Sequence, residues 1–276
     1  MKVLETKSKV IQALNGCRSK DVSIGFAPTM GALHEGHLSL IGRSATENDV
    51  TVASIFVNPT QFDDKNDFAR YPRDLAKDLE MLDGAGCDIV FAPSVQEMYP
   101  KEEMRAFDFG LLDKVMEGAF RPGHFNGVAH IVSRLFDVVK PDKAYFGEKD
   151  FQQLAIIRRL VEIEGLDIEI IGCPIIREAD GLAMSSRNTL LTPEQRKNAA
   201  IIYRTLLLSK EKAGIMPLQE LKKWAIEQID ATPEMKTEYF EIVDKKTLEK
   251  ATEYKENDLQ SCVAVRVGNV RLIDNN

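Results

Sequence analysis

The chain of 276 residues has little of what marks a secreted, metal-clustered or membrane protein. Its four cysteines, Cys17, Cys87, Cys173 and Cys262, lie far apart with no C-x-x-C pair. That spacing removes a zinc ribbon and a disulfide framework, and leaves a reducing cytoplasm as the expected compartment. Residues 1–7 contain no signal-peptide core, and no apolar run approaches the roughly 20 residues of a membrane span. Basic residues are not in excess: 36 Lys and Arg stand against 43 Asp and Glu, for a net charge of −7. A nucleic-acid groove is therefore not expected, although a local cluster of cations could still hold a nucleotide. There is no internal repeat and no low-complexity segment. What is present is a hydrophobic content of 44%, ample for a packed core in one large domain or two unequal ones.

The most informative stretch is Pro28-Thr29-Met30-Gly31-Ala32-Leu33-His34-Glu35-Gly36-His37. The mostly apolar residues 22–27 precede it and read as a buried strand. After it, Leu38, Leu40, Ile41 and Ala45 recur at helical spacing, with Arg43, Glu47 and Asn48 left for a wet face. A strand, a glycine-bearing turn and a helix form the arrangement in which unpaired N–H groups face an anion. Gly31 and Gly36 allow the backbone to approach a phosphate closely, and His34 and His37, three apart, share one helix face. A zinc-protease helix needs histidines four apart, and a P-loop needs lysine after its second glycine, so neither fits.

Two further segments have the same character. Residues 144–153 run from a short strand through Gly147, Glu148, Lys149 and Asp150 into a helix reaching about residue 163. An ammonium at that helix start can follow charge moving onto departing phosphates. Residues 168–172 read as a strand, extended by 175–177, that leads to Met184-Ser185-Ser186-Arg187-Asn188. Hydroxyls, N–H groups and a guanidinium there can bind phosphate oxygens in fixed geometry. Between the first two cradles, the β-branched run 50–57 delivers Asn58-Pro59-Thr60-Gln61, where Asn58 and Gln61 could recognise hydroxyl and carboxylate groups or simply form a turn. Residues 120–127 pack Arg121, Pro122, Gly123 and His124 into a loop before an apolar helix expected over 128–139.

The remaining elements complete an α/β pattern. Helices are expected over 5–15 and from Tyr71-Pro72-Arg73-Asp74 onward, and a strand over 87–93. Beyond about residue 178 the composition changes. A long helix from Thr192 to about Lys212, a second over 217–230 and three alternating strands predict a small α/β lid. The expected architecture is a Rossmann-like parallel-sheet domain over 1–177 with a smaller C-terminal α/β lid domain over 178–276.

His34-Glu35-Gly36-His37 after a first strand resembles the H-x-G-H signature of the nucleotidyltransferase superfamily that includes class I aminoacyl-tRNA synthetases. The longer string from Pro28 is similar to that of the pantothenate synthetase family, ligases joining pantoate to β-alanine at the expense of ATP. The resemblance spans the chain and its motifs occur in family order. It implies ATP held by Met30, Gly31, Ala32, Leu33, His34, Glu35, Gly36 and His37, by Gly147, Glu148, Lys149 and Asp150, and by Ile176, Met184, Ser185, Ser186 and Arg187. It implies pantoate at Asn58, Gln61, His124 and Gln153, and β-alanine at Gln61. Catalysis falls to His37 as proton donor, His34 as phosphate partner, Lys149 and Arg187. It also implies Mg²⁺ near Asp78, which by itself reads as a solvated helix-face charge, and a homodimer. His130 departs from the family pattern, which has a small or hydroxylated residue there. Two other readings stay open. A nucleotidyltransferase with a stable nucleotide product would not need both Gln61 and Gln153, and a non-catalytic paralogue should have lost His37, Lys149 or Arg187, all of which are present.

Overall fold

Short apolar and β-branched runs become strands buried on both faces when helices cover a parallel sheet. The computed structural model, which describes residues 1–18, 22–62, 65–101 and 105–276, has this organisation in its first two thirds. In chain order the elements are β1 (Lys2–Leu4), α1 (Lys7–Arg18), β2 (Ile24–Thr29), α2 (Glu35–Glu47), β3 (Val50–Ile55), α3 (Lys65–Arg70), α4 (Leu75–Gly84) and β4 (Ile89–Phe91). There follow α5 (Val95–Met98), α6 (Met116–Phe120), α7 (His124–Val139), β5 (Lys143–Gly147), α8 (Phe151–Glu164) and β6 (Glu169–Cys173). Among the described residues these strands form one parallel sheet of order β1-β4-β3-β2-β5-β6. The order reverses at β2 and β5, which are neighbours although far apart in sequence. Such a reversal opens a crevice beyond the carboxyl ends of the two strands.

The core of this sheet is Phe26, Val52 and Phe91, packed against Leu14 of α1 and Phe136 of α7, all at or near zero exposure. Helix α7 is buried along most of its length because α1, α8, β2 and the 3₁₀ turn at Pro59–Gln61 all pack on it. Its buried polar groups, such as His124, His130 and Ser133, are held by hydrogen bonds to neighbouring segments.

The last third contains α9 (Pro193–Asn198), α10 (Ala200–Lys212), α11 (Leu218–Asp230), β7 (Met235–Asp244), β8 (Leu259–Val267) and β9 (Val270–Asn275). The three strands form an antiparallel sheet in sequence order. Leu206, Leu221, Ile229, Phe240 and Val263 make a second core beneath it. The two sheets are joined by ion pairs. Arg271 reaches Glu117 at 2.6 and 2.8 Å, with Tyr239 donating its hydroxyl to the same carboxylate at 2.8 Å. Arg177 reaches the buried Asp274 at 2.7 Å. The four cysteines are free thiols, with Cys87, Cys173 and Cys262 buried and Cys17 partly exposed. No described helix is long and apolar enough to cross a membrane.

Several boundaries differ from the sequence expectation for identifiable reasons. The first helix extends to Arg18. Strand β1 has only three residues, too few for a periodic signal, and pairs at the sheet edge with β4. The helix expected from Tyr71 begins at Leu75, because Asp74 caps it by accepting from Lys77 N at 3.1 Å. Helix α7 begins at His124 rather than Val128, entered through Gly123 at φ 82°. Residues 175–177 add no strand: Arg177 makes an isolated bridge with Ala183, turning the chain toward the second sheet. The long helix starts as expected, in a capping box of Thr192 and Gln195, but divides at Ala199 into α9 and α10.

Candidate functional site

Strand β2 ends at Thr29, whose hydroxyl donates to Ser54 O at 2.7 Å and accepts from Gly31 N at 3.2 Å. The chain then turns through two left-handed residues, Gly31 at φ 78° and Ala32 at φ 50°. Ala32 N and Leu33 N donate to the two oxygens of Asp78 at 2.9 and 2.8 Å. Asp78, on the first turn of α4, is buried. The solvated-charge reading is therefore wrong.

The next residue, His34, is the N-cap of α2 and its Nδ1 accepts from Gly36 N at 3.1 Å. An accepting Nδ1 places the ring proton on Nε2. The His37 ring lies 4.1 Å from that of His34, and its Nδ1 is buried with no hydrogen-bond partner among the described residues. Burial, followed by the charge of Lys149, lowers the His34 pKa to about 4, against an opposing pull from Asp150. Burial, then His34 and Lys149, lowers His37 to about 3. Both rings are neutral hydrogen-bonding groups near neutral pH.

Next to β2 in the sheet, β5 ends at Gly147 and passes into a 3₁₀ turn over Glu148–Asp150. The Lys149 ammonium is 3.9 Å from the Asp150 carboxylate. Asn275 Nδ2 grips this turn from the second sheet, donating to Glu148 O at 3.0 Å and Lys149 O at 2.9 Å. Asp150 precedes α8 but makes no side-chain capping bond. The third segment is held to the chain just beyond β6 by Met184 N donating to Ile176 O at 3.0 Å. There Ser185 caps a 3₁₀ turn over Ser186–Leu190 by accepting from Arg187 N at 3.2 Å. The Arg187 guanidinium lies 5.8 Å from the Tyr71 ring centre.

Beyond β3, Asn58 is buried and its amide is fully engaged. It donates to Gln61 Oε1 and Gly127 O, both at 3.1 Å, and accepts from Tyr99 at 2.7 Å. With its oxygen held by Asn58, Gln61 directs its NH₂ outward to Met30 Sδ at 3.0 Å. A close approach of backbones makes this possible: a Cβ on Gly127 would lie 2.3 Å from Thr60 O. His124 Nδ1 is 2.9 Å from Gln61 O, so Nδ1 carries the proton and Nε2 accepts from Arg121 at 3.1 Å. His124 thus braces the Gln61 backbone.

One cavity of about 240 Å³ joins these groups. From the first cradle it is lined by Met30, His34, Gly36 and His37, and from the second by Gly147, Lys149, Asp150 and Gln153. Ile176, Met184, Ser185, Ser186 and Arg187 line it from the third, with Asn58, Gln61 and His124 completing the wall. Gly31, Ala32, Leu33, Glu35, Glu148 and Asp78 do not line it. His130 does not either: it is buried behind the wall, stacked on Tyr99 with ring centres 5.4 Å apart. Among the lining residues to which sequence reasoning assigned no role are Arg121 and Tyr71. Arg121 was visible as the cation of a dense glycine–proline loop, whereas nothing local marks Tyr71.

No set of three His, Cys, Asp or Glu side chains converges as a metal cage among the described residues. Asp78 has both oxygens on backbone N–H groups. These residues do not fit a protein-liganded Mg²⁺.

A parallel sheet that reverses at β2 and β5, with paired imidazoles, a lysine and a serine–arginine turn around the crevice so formed, defines a Rossmann-like nucleotide-binding protein. Comparison with known proteins narrows the class. A family model described as pantoate-beta-alanine ligase matches residues 2–276. A pantothenate synthetase of Bacteroides thetaiotaomicron is 53% identical over 276 residues, covering 100% of this chain and 98% of the relative. Among solved structures, pantothenate synthetase from Thermus thermophilus superposes with a TM-score of 0.94 at 45% identity, covering 100% of this chain and 99% of the other. Pantoate-beta-alanine ligase from Francisella tularensis, complexed with beta-gamma ATP and beta-alanine, gives 0.84 at 36% identity, covering 100% and 97%. The chain belongs to the pantoate-beta-alanine ligase family.

Proposed function

We propose that the family's reaction, the ATP-dependent condensation of pantoate with β-alanine, runs in this cavity through an enzyme-held pantoyl adenylate. The observation that carries the proposal is the convergence of three anion-holding segments and two glutamine amides, Gln61 and Gln153, on one cavity. A carboxylate does not condense with an amine until its oxygen becomes part of a leaving group. A pantoate carboxylate oxygen attacks the α-phosphorus of ATP, the bond to the β-phosphate bridge breaks, and pyrophosphate leaves. The neutral amine of β-alanine then attacks the acyl carbon, AMP departs with the electron pair of the broken C–O bond, and the amine loses a proton. Lys149, Ser185, Ser186 and Arg187 follow the charge moving onto pyrophosphate, while His34 and His37 hydrogen-bond the phosphates. Positioning of the two reactants supplies much of the remaining rate.

Gln61 offers donors to the pantoate carboxylate or hydroxyls because Asn58 occupies its oxygen. Asn58 and His124, which line the same wall, position Gln61. Residues 1–177 form the nucleotide- and pantoate-binding domain, and residues 178–276 the lid that keeps water from the adenylate. Magnesium enters as the counter-ion of ATP, a substrate component. The free thiols agree with a cytoplasmic enzyme, and the family resemblance supports a homodimer, which sedimentation of the purified protein tests. ATP–pyrophosphate exchange tests the chemistry. Exchange that requires pantoate and needs no β-alanine is expected; its absence from folded protein at saturating ligands refutes the adenylate route.

A further inference from the structure

The turn between β2 and α2 is a backbone anion nest that already has an anion in it. Successive residues near left-handed geometry aim their N–H groups into one concavity, as Gly31 at φ 78° and Ala32 at φ 50° do here. The N–H groups of Ala32 and Leu33 would be available to a phosphate, but they converge on Asp78, one to each carboxylate oxygen. The fit is tight: a Cβ on Gly31 would lie 2.8 Å from Asp78 Oδ2. Asp78 is 2% exposed, and neither it nor Gly31, Ala32 or Leu33 lines the cavity.

A magnesium ligand needs different surroundings. The ion keeps several waters in a near-octahedral shell and takes a carboxylate that faces them. Both Asp78 oxygens instead face amide hydrogens in a buried nest, and no group of three His, Cys, Asp or Glu side chains converges as a metal site among the described residues. We infer that Asp78 is a positioning residue of the nucleotide site and not a magnesium ligand: its carboxylate fixes the left-handed Gly31–Ala32 turn and so sets His34 as the N-cap of α2. The consequence for binding is direct. Phosphate is held by the two imidazoles, just C-terminal to the nest, and their placement depends on an anion supplied by α4. The inference rests on the proposed reading that this cradle holds ATP.

The test is ATP affinity by calorimetry for the native chain, Asp78→Asn and Gly31→Ala, from excess EDTA to excess Mg²⁺, with pantoate KM and thermal midpoint measured alongside. Asp78→Asn puts an NH₂ group against a backbone N–H, and Gly31→Ala pushes the carboxylate from the other side, so each checks the other should one fail to fold. The expected result is ATP affinity lower by on the order of tenfold, as for loss of a charge-assisted hydrogen bond. The same fold-loss should appear at every Mg²⁺ concentration, with pantoate KM unchanged. A loss that appears only with Mg²⁺ and shrinks as Mg²⁺ is raised overturns the inference, as does unaltered affinity in either folded variant. A native chain that binds no ATP under any condition instead refutes the nucleotide reading itself.

Discussion

At the scale of the residue, the two imidazoles differ from ordinary surface histidines in a way that has measurable consequences. Burial is the main cause of both depressions, to about 4 for His34 and about 3 for His37, against roughly 6.5 for an unfolded imidazole. Between these values and 6.5 the unfolded chain binds more protons than the folded one. The stability that goes with neutral rings is whole above pH 6.5 and is lost as the pH falls toward 4 and 3, where the folded rings protonate too. The thermal midpoint should therefore drop from pH 7 to pH 4, more steeply in the native chain than in a His34→Gln/His37→Gln double variant; equal slopes in scanning calorimetry would show that the rings are not the cause. For catalysis, His37→Ala should retain the circular dichroism spectrum and lose on the order of 10²–10³ in turnover, the usual effect of removing one transition-state donor. Unchanged turnover would remove His37 from the mechanism. The order of the three cradles along the chain and the family resemblance made these residues legible, since two histidines around a glycine at a helix mouth read equally as surface residues on a capped helix. Neither could reveal that Asp78, forty-five positions beyond Leu33, closes the same turn.

At the scale of the element, the contact between α7 and the turn after β3 shapes the acyl end of the cavity. Gly127 lets the backbone of Thr60 and Gln61 rest directly on α7, where a methyl group would strike Thr60 O at 2.3 Å. Gly127→Ala should destabilise the fold by about 1–3 kcal/mol, the usual cost of overpacking, read as a lower denaturant midpoint at unchanged slope. Because the same turn carries Gln61, pantoate KM should rise while ATP KM holds. A variant with native stability and native KM would contradict this coupling. Strands and helices with clear apolar periodicity, such as β3 and α2, were legible in the sequence as elements, β3 with its start at Val50. Elements whose ends depend on distant partners were not. The start of α7 at His124 depends on His124 bonding Gln61 O, and the division of α9 from α10 leaves Ala199 fully buried against the second core.

At the scale of the whole molecule, the second sheet reaches into the chemistry of the first. Asn275 on β9 holds two carbonyls of the Lys149 turn, and the neighbouring Asp274 holds Arg177 on the way to the serine–arginine turn. Asn275→Ala frees the turn without touching substrate. ATP–pyrophosphate exchange should fall by on the order of 10-fold or more, since small misplacements remote from the reacting atoms carry penalties of that size, with pantoate KM unchanged; undiminished exchange would show that Lys149 keeps its place unaided. The sequence announced a small C-terminal α/β unit, but a single asparagine near the end of a short strand carries no local mark of this duty.

The arrangement of thiols offers an experimental handle. Burial lifts the Cys87 thiol to about 12 and raises those of Cys173 and Cys262 as well, and a thiol is nucleophilic only as thiolate. Cys17, on α1 and partly exposed, is the one thiol a maleimide dye can reach readily in the folded protein. Of the three slow thiols, Cys173 closes β6 and Cys262 lies on β8, so these two report separately on the first and second sheets. Labelling followed over time by peptide mass would give one fast event and later ones timed by the opening of each sheet. Native cysteines would thus serve as internal clocks for any movement of the C-terminal unit during turnover.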